Sequence, residues 1–310
     1  MKSKYIAWAI APIFLIGCSD YLETPPSVDY GENEVFATRA DAEKLLTTLY
    51  AEGMPYGFCM SSSNTDRRLL SSSTLASACD EGEDVATWAM GNAAWNAGNH
   101  TNTNFPWDED CRFYLRNHTM RVANLILKRI HEVPFDEGDP DFNKRTTGEA
   151  YFMRAMLLWE GVYRYGGMPI VRDVIDPTDF SQRPRNSFSD CIDSILIDCD
   201  RATQYLPDYY TDNAKLGRAT RIAALALKAR VLLYAASPLF NTSTPYMSFP
   251  GHEDLIGYGN YDRERWKKAA DAAKAAIDAA LASGHYKIHN TGNPDKDYED
   301  VWTTPDNEEI

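Results

Sequence analysis

The chain contains a succession of long apolar segments with helical spacing, and they narrow the possible folds more than any other part of the sequence. Helices are predicted at about 147–165, 189–206, 219–237 and 262–283. The first is apolar on almost every side, which indicates that it is buried from several directions. Pro207, Pro238 and Gly284 follow the other three, as expected for residues that end helices. This pattern predicts a mainly α fold.

The predicted helices repeat along the chain. A shift of 74 residues aligns Ala150, Arg154, Ala155, Leu158 and Gly161 with Ala224, Lys228, Ala229, Leu232 and Ala235. A shift of 75 aligns Ile195, Ala202 and Leu206 with Ala270, Ile277 and Leu281. Small residues that recur where helices approach closely are typical of stacked helical hairpins. Because the best-known unit of this kind is about 34 residues long, the step indicates a hairpin with roughly 40 inserted loop residues.

The N-terminal half is organised differently. Thr38 and Asp41 predict the start of a helix that runs through about Tyr50. A second helix is predicted to end near Pro134. Between them, residues 53–107 are irregular and rich in serine, asparagine and glycine. An irregular segment of this length inside a compact protein is usually functional or disordered.

The first residues have the pattern of an export signal. Lys2 and Lys4 precede a short apolar core, and Gly17 stands directly before Cys18. The core is too short for a permanent transmembrane helix, which needs about 20 apolar residues. The segment resembles a bacterial lipobox, with residues 1–17 as the cleaved signal peptide, Cys18 as the lipidation site and 18–38 as a tether. The alternative is an ordinary signal peptide that happens to contain a cysteine.

The net charge excludes some partners. The chain carries 31 basic and 45 acidic residues, a formal charge of −14, which becomes −16 without residues 1–17. Because no dense lysine or arginine run is present, sequence-independent binding to nucleic acid is not expected. A membrane attachment would have to depend on lipid and not on charge.

The segment 80–107 has the composition of a sugar-binding loop. Sugar recognition uses flat aromatic faces together with amides and carboxylates. The candidate glycan ligands are Asp84, Trp88, Asn92, Trp95, Asn96, Asn99 and Trp107. Trp88 and Trp95 are seven residues apart and would share one face if the segment between them were helical. The alternative is that these tryptophans only pin the loop to the helices.

Motifs for catalysis or metal binding are not found. The sequence lacks GxSxG, HExxH and Walker A motifs, and no cofactor or metal is predicted. Asp139, Asp141 and Asn143 imitate half of a calcium loop, but Lys144 replaces the required glycine, so we expect a solvated acidic turn. A pair of glycosidase carboxylates stays open, because the fold sets their separation.

Several further residues have structural interpretations. Arg154 lies in the most apolar helix, where a charge needs a partner, so we expect a structural ion pair. Cys191 and Cys199 are eight residues apart in one predicted helix, about 12 Å of rise, and cannot bridge each other there. Buried free thiols are expected for most of the cysteines, although Cys59 and Cys79 flank a loop that would allow them to pair. Residues 163–167 are expected to form a helix end that glycine relieves.

Blocks of sequence carry a family resemblance. They are the lipobox with residues 18–26, Glu34-Val35-Phe36 before the first helix, residues 151–155 running to 164–170, and residues 217–240. In this order they resemble SusD-like (RagB-like) nutrient-uptake outer-membrane lipoproteins of Bacteroidetes. The resemblance implies a superhelix of tetratricopeptide-like hairpins with long loops. It also implies that residues 39–310 form a SusD-like domain that is truncated at its C-terminus, with 307–310 at the start of a block that the family continues.

The resemblance implies a function in nutrient capture. We expect a non-catalytic lipoprotein, anchored in the outer membrane and facing the exterior, that captures oligosaccharides for a partner SusC-type TonB-dependent transporter. The alternatives are a peptide-capturing lipoprotein on the same scaffold, a lipid-anchored glycoside hydrolase, and a pure interaction scaffold.

Overall fold

The computed structural model describes residues 31–54, 80, 97–99, 101, 113–176, 178–179 and 181–304. Within these ranges the chain contains eight α-helices and no strand. They are α1 (Glu32–Val35), α2 (Arg39–Gly53), α3 (Phe113–Arg129), α4 (Phe142–Tyr165), α5 (Phe188–Tyr205), α6 (Arg221–Ala236), α7 (Arg263–Ser283) and α8 (Pro294–Thr303). Single 3₁₀ turns occur at Ile130–Glu132, Asn213–Lys215 and Glu253–Leu255. The mainly α prediction is confirmed.

Local capping explains where four of the helices begin. Thr38, Ser187 and Thr220 each accept a hydrogen bond from the backbone N–H three residues later. Asp262 caps α7 in a similar way, and Gly284 ends that helix with φ of 74° in the left-handed region. The predicted bounds of α5, α6 and α7 therefore lie within about two residues of the observed ones.

The helices stack in chain order. The most extensive helix contacts are α4 with α5 and α6 with α7, and α5 packs on α6 between these two hairpins. At the other end α2 packs on α3, and α3 packs on α4. The two hairpins correspond to the two copies of the sequence repeat, so the stacked-hairpin prediction is confirmed.

The core follows α4 along most of its length. Met153 and Val162 are completely buried, and Trp159 is 4% exposed. Gly148 lets α5 approach, because a Cβ at this position would lie 2.7 Å from Cγ of Leu206. Gly148 is not one of the positions that the repeat aligned, so this close contact is a finding of the structure.

The two copies of the repeat differ in burial. Ala202 of α5 and Leu206 directly after α5 are buried, whereas their repeat counterparts in α7, Ile277 and Leu281, are 59% and 62% exposed. Ala269 is the only residue of α7 that is buried among the described residues. The shared apolar stripe is therefore covered in the first hairpin and open to solvent in the second.

The end of the segment assigned to the tether packs on the domain. Phe36 follows α1 and is 2% exposed, and the Arg129 guanidinium lies 5.1 Å from its ring centroid. Arg121 of α3 also bonds Glu32 of α1 at 2.8 Å. In the described part of the chain, none of the helices is both long and apolar enough to cross a membrane.

Candidate functional site

Most of the sequence-predicted site falls outside the described residues. This holds for the lipidation site Cys18 and for six of the proposed glycan ligands: Asp84, Trp88, Asn92, Trp95, Asn96 and Trp107. Asn99 is described, and it is exposed. The glycan-binding role of this loop stays a prediction.

The partner expected for Arg154 is Asp198. The guanidinium makes two hydrogen bonds of 2.8 Å to the Asp198 carboxylate, and both residues are at most 6% exposed. A third bond of 2.9 Å joins Arg154 to the Asn124 amide oxygen. Arg172 bonds the same carboxylate at 3.1 Å. This network joins α3, α4, α5 and the loop after α4, and it confirms the structural interpretation of Arg154.

A second ion-pair network lies at the start of α4. The Arg145 guanidinium forms two bonds of 2.9 Å to Asp139 and one of 3.2 Å to Glu149. Arg218 links the buried Glu149, at 3.4 Å, to Glu43 of α2, at 2.8 Å. The expectation of a solvated acidic turn was wrong for Asp139, which is only 7% exposed because Arg145 folds back over it.

The environments shift the carboxyl pKa values of this network in opposite directions. The hydrogen bond from Arg145 lowers the pKa of Asp139 below its usual value, against a smaller effect of burial. Burial raises the pKa of Glu149, although the nearby Arg218 and Arg145 oppose this rise. Burial also raises the pKa of Tyr50, whose hydroxyl oxygen accepts a 2.9 Å bond from the Ala219 backbone N–H.

A pocket of about 250 Å³ opens beside this network. The first turn of α4 and the residues just before it form one wall, and the segment 205–215, which begins at the last residue of α5, forms the other. Three tyrosines line it: Tyr205, Tyr209 and Tyr210. The charged residues on its walls are Asp139, Asp141, Lys144, Arg145, Asp212 and Lys215. Aromatic faces next to charged and hydroxyl groups are a combination that binds small polar ligands.

The wall after α5 is held by three contacts with two other parts of the chain, the start of α6 and the residue after Gly284. Tyr210 donates its hydroxyl hydrogen to the Ala219 carbonyl at 2.9 Å. The Arg221 backbone N–H bonds the Pro207 carbonyl at 2.7 Å. The Tyr209 ring packs against the His285 ring in a tilted arrangement, with centroids 3.3 Å apart. The wall is therefore preformed and not a loose loop.

The helix end at 163–167 is built around two glycines. α4 ends at Tyr165, and Gly166 has φ of 75° and ψ of −145°, so its φ is positive but it is not in the left-handed helical region that we predicted. A Cβ at Gly167 would lie 2.0 Å from the Asn186 carbonyl oxygen, and the Gly167 N–H bonds the Leu255 carbonyl at 2.7 Å. Glycine is needed here for close backbone packing, which favours a structural role for this segment.

The described cysteines are also structural. Cys191 and Cys199 are buried and free, as their spacing predicted. Burial raises the pKa of the Cys199 thiol to about 12 and also raises that of Cys191. Cys59 and Cys79 lie outside the described residues. In the described ranges, no group of three histidine, cysteine or acidic side chains is arranged to hold a metal.

Comparison with known proteins identifies the family. The sequence model of the family SusD-like_3, described as "Starch-binding associating with outer membrane", matches residues 20–233. The chain belongs to the SusD-like family. Comparison with curated proteins gives no significant match.

Solved SusD-like structures share the fold. A SusD-like protein from Bacteroides fragilis matches with a TM-score of 0.60 and 24% identity, over 89% of this chain and 45% of that one. The protein BT4246 also matches with a TM-score of 0.60, at 26% identity, over 82% of this chain and 42% of that one. A "Laminarin binding SusD-like protein" matches with a TM-score of 0.51, at 20% identity, over 65% of this chain and 41% of that one. The chain has the tetratricopeptide-like SusD fold and spans less than half the length of these relatives.

The SusD-like chain contains features that sequence reasoning missed. The pocket walls come from residues 139–145 and 205–215, and no motif joined the two segments. The repeat gave a partial indication of the pocket, because it predicted that α4 and α5 form one hairpin. The tyrosines that follow Leu206 lie just beyond the end of that hairpin, so aromatic residues after a repeat helix were the available indication.

Proposed function

We propose that this protein is a non-catalytic lipoprotein of the outer membrane that captures oligosaccharides for a SusC-type TonB-dependent transporter. Cys18 would carry the lipid, and the segment 80–107 would provide the main glycan platform. The protein would face the exterior and need no cofactor.

The family match is the observation that carries this proposal. It covers residues 20–233 and therefore includes the whole tryptophan- and asparagine-rich segment. The family description names starch, and a relative with the same fold is named as laminarin binding. Starch and laminarin are both neutral glucans, which suits a chain with a charge of −14 better than an anionic glycan would.

Titration calorimetry with maltoheptaose and laminarihexaose tests the glycan function. We expect binding that Trp88→Ala and Trp95→Ala each weaken by about tenfold, because each removes an aromatic face. Trp302→Ala is the matched control, since Trp302 is 65% exposed on α8 and is not part of the proposed platform. Unchanged affinity in both loop variants would exclude the platform.

Two of the alternatives give different results in the same samples. A peptide-capturing protein would bind a peptide mixture and neither glucan. A lipid-anchored glycoside hydrolase would release reducing ends from the glucans over time, whereas the proposed protein leaves them intact.

The anchor and the transporter need separate experiments. We expect Cys18→Ala to move the protein from the membrane fraction to the soluble exported fraction, because the acyl chains provide the attachment. We expect the wild-type protein to copurify with a TonB-dependent transporter encoded beside it. Retention of the variant in the membrane would contradict lipid anchoring at Cys18.

A further inference from the structure

We propose that the pocket between α4 and the segment 205–215 is a second saccharide site, which holds one neutral sugar unit. The choice of ligand class rests on the proposed function. None of the described residues that line the pocket belongs to the segment 80–107.

The aromatic residues of the pocket are placed to contact a sugar ring. Tyr205 and Tyr209 are 36% and 37% exposed, although each also packs on another ring, Tyr151 and His285 respectively. Their rings are thus held by packing while more than a third of the surface of each residue is exposed to solvent. Such a surface offers flat apolar contact to the C–H side of a sugar.

The polar groups of the pocket divide into committed and available ones. Asp139, Arg145 and Asp212 already have partners in ion pairs or backbone hydrogen bonds. Among the described residues, the side chains of Asp141, Lys144 and Thr211 have none. The available groups therefore include a carboxylate acceptor, an ammonium donor and a hydroxyl that can do both. Sugar hydroxyls need donors and acceptors together.

The charges favour a neutral ligand. Three acidic and three basic residues line the pocket, so its net charge is zero. The chain as a whole is strongly acidic, at −14, which disfavours sulfated or uronic acid glycans. An anion-binding site would need an excess of basic side chains, which the walls do not provide.

The size of the pocket fits a single unit. Its volume of about 250 Å³ lies below the range of roughly 300–1,000 Å³ typical of sites for drug-sized ligands. Because the wall after α5 is preformed, binding a small ligand would not require the ordering of a loop. A site of this size recognises one residue of a longer chain and adds avidity to a stronger site elsewhere.

Fluorine NMR of the full chain labelled with 3-fluorotyrosine tests the site directly. The Tyr209 and Tyr205 signals are assigned with Tyr209→Phe and Tyr205→Phe, and maltotriose and laminaritriose are the probes. We expect both signals to shift in a saturable way, and the signal of Tyr246 to stay unchanged because that residue is 89% exposed and outside the pocket.

Calorimetry in the Trp88→Ala/Trp95→Ala background separates the two sites. Residual glucan binding in this background is expected to weaken about tenfold when Tyr205→Ala and Tyr209→Ala are added, and to be unaffected by Tyr246→Ala. Melting curves check that the variants remain folded.

The outcomes distinguish the two proposals. If the loop variant abolishes binding and the pocket signals never shift, the pocket site is wrong and the proposed function stands. If neither glucan binds the wild-type protein, both are wrong. A shift of the Tyr209 signal with a short zwitterionic peptide, and not with the sugars, would assign the pocket to peptides and overturn the saccharide site.

Discussion

Removal of the Asp198 carboxylate is expected to destabilise the fold strongly. Asp198 is 2% exposed and accepts three hydrogen bonds from guanidinium groups, two from Arg154 and one from Arg172. Asp198→Ala leaves the Arg154 charge buried, with the Asn124 amide as its remaining partner. Breaking a buried pair in this way costs about 3–5 kcal/mol. For a domain of this size, that corresponds to a fall in melting temperature of roughly 10 °C.

A residue on the same helix provides the matched control. Asp200 lies two positions further along α5 and pairs with Lys228 at 2.5 Å, but its side chain is 53% exposed. Surface pairs of this kind contribute about 0–1 kcal/mol, so Asp200→Ala is expected to lower the melting temperature by less than about 3 °C. Both variants are compared by circular dichroism at 222 nm during thermal unfolding.

A double variant tests the physical cause. Arg154→Met together with Asp198→Leu removes both charges, so its stability loss should be clearly smaller than the sum of the two single losses. If Asp198→Ala and Asp200→Ala shifted the melting temperature equally, the argument from burial would be refuted. Additive losses in the double variant would show that the two residues act separately.

Three further predictions concern other parts of the described structure. Because its arginine partner lowers the Asp139 pKa below 3.8, the Asp139 carboxylate stabilises the fold above about pH 4 and loses this effect as the pH falls through the lowered pKa. The difference in melting temperature between the wild type and Asp139→Asn should therefore narrow between about pH 6 and about pH 3, and a constant difference would contradict the pairing. Gly167→Ala should lower the free energy of unfolding in urea by more than about 2 kcal/mol, because its Cβ would lie 2.0 Å from a backbone carbonyl oxygen. Gly161→Ala is the control and should lower it less, because the new Cβ meets only the flexible end of a methionine side chain. Peptide mapping after brief N-ethylmaleimide treatment should find Cys191 and Cys199 unlabelled in the folded protein and labelled in urea. The reason is that both thiols are buried and burial raises their pKa values. Equal labelling in the two states would argue against their burial.

The helical part of the fold could be predicted closely because its signals are local. Caps such as Ser187 and Thr220, the glycine after α7 and the spacing of apolar residues act within a few positions of the chain. The repeat added the pairing of helices, because small residues recur where backbones approach. The short helices α1 and α8 were not predicted, since segments of four and ten residues have little periodicity to detect.

The candidate site depended on different information. Composition singled out the segment 80–107, and the family match covers that segment, so the main glycan proposal comes from the sequence. The pocket could not be predicted from the sequence, because its two walls are about 60 residues apart in the chain and come together only when α4 packs against α5. The burial of Asp139 was missed for the same reason: a turn rich in acidic residues gives no indication of which arginine will cover it.

Local sequence patterns were enough to predict the bounds of α5, α6 and α7, the hairpin repeat, the need of Arg154 for a partner and the SusD-like family. Tertiary structure decided that this partner is Asp198, 44 residues away, and that three tyrosines face the start of α4 across a pocket. Helix formation depends on interactions between near neighbours in the chain. Ion pairing and pocket formation depend on which helix faces meet, and only the packed fold fixes those.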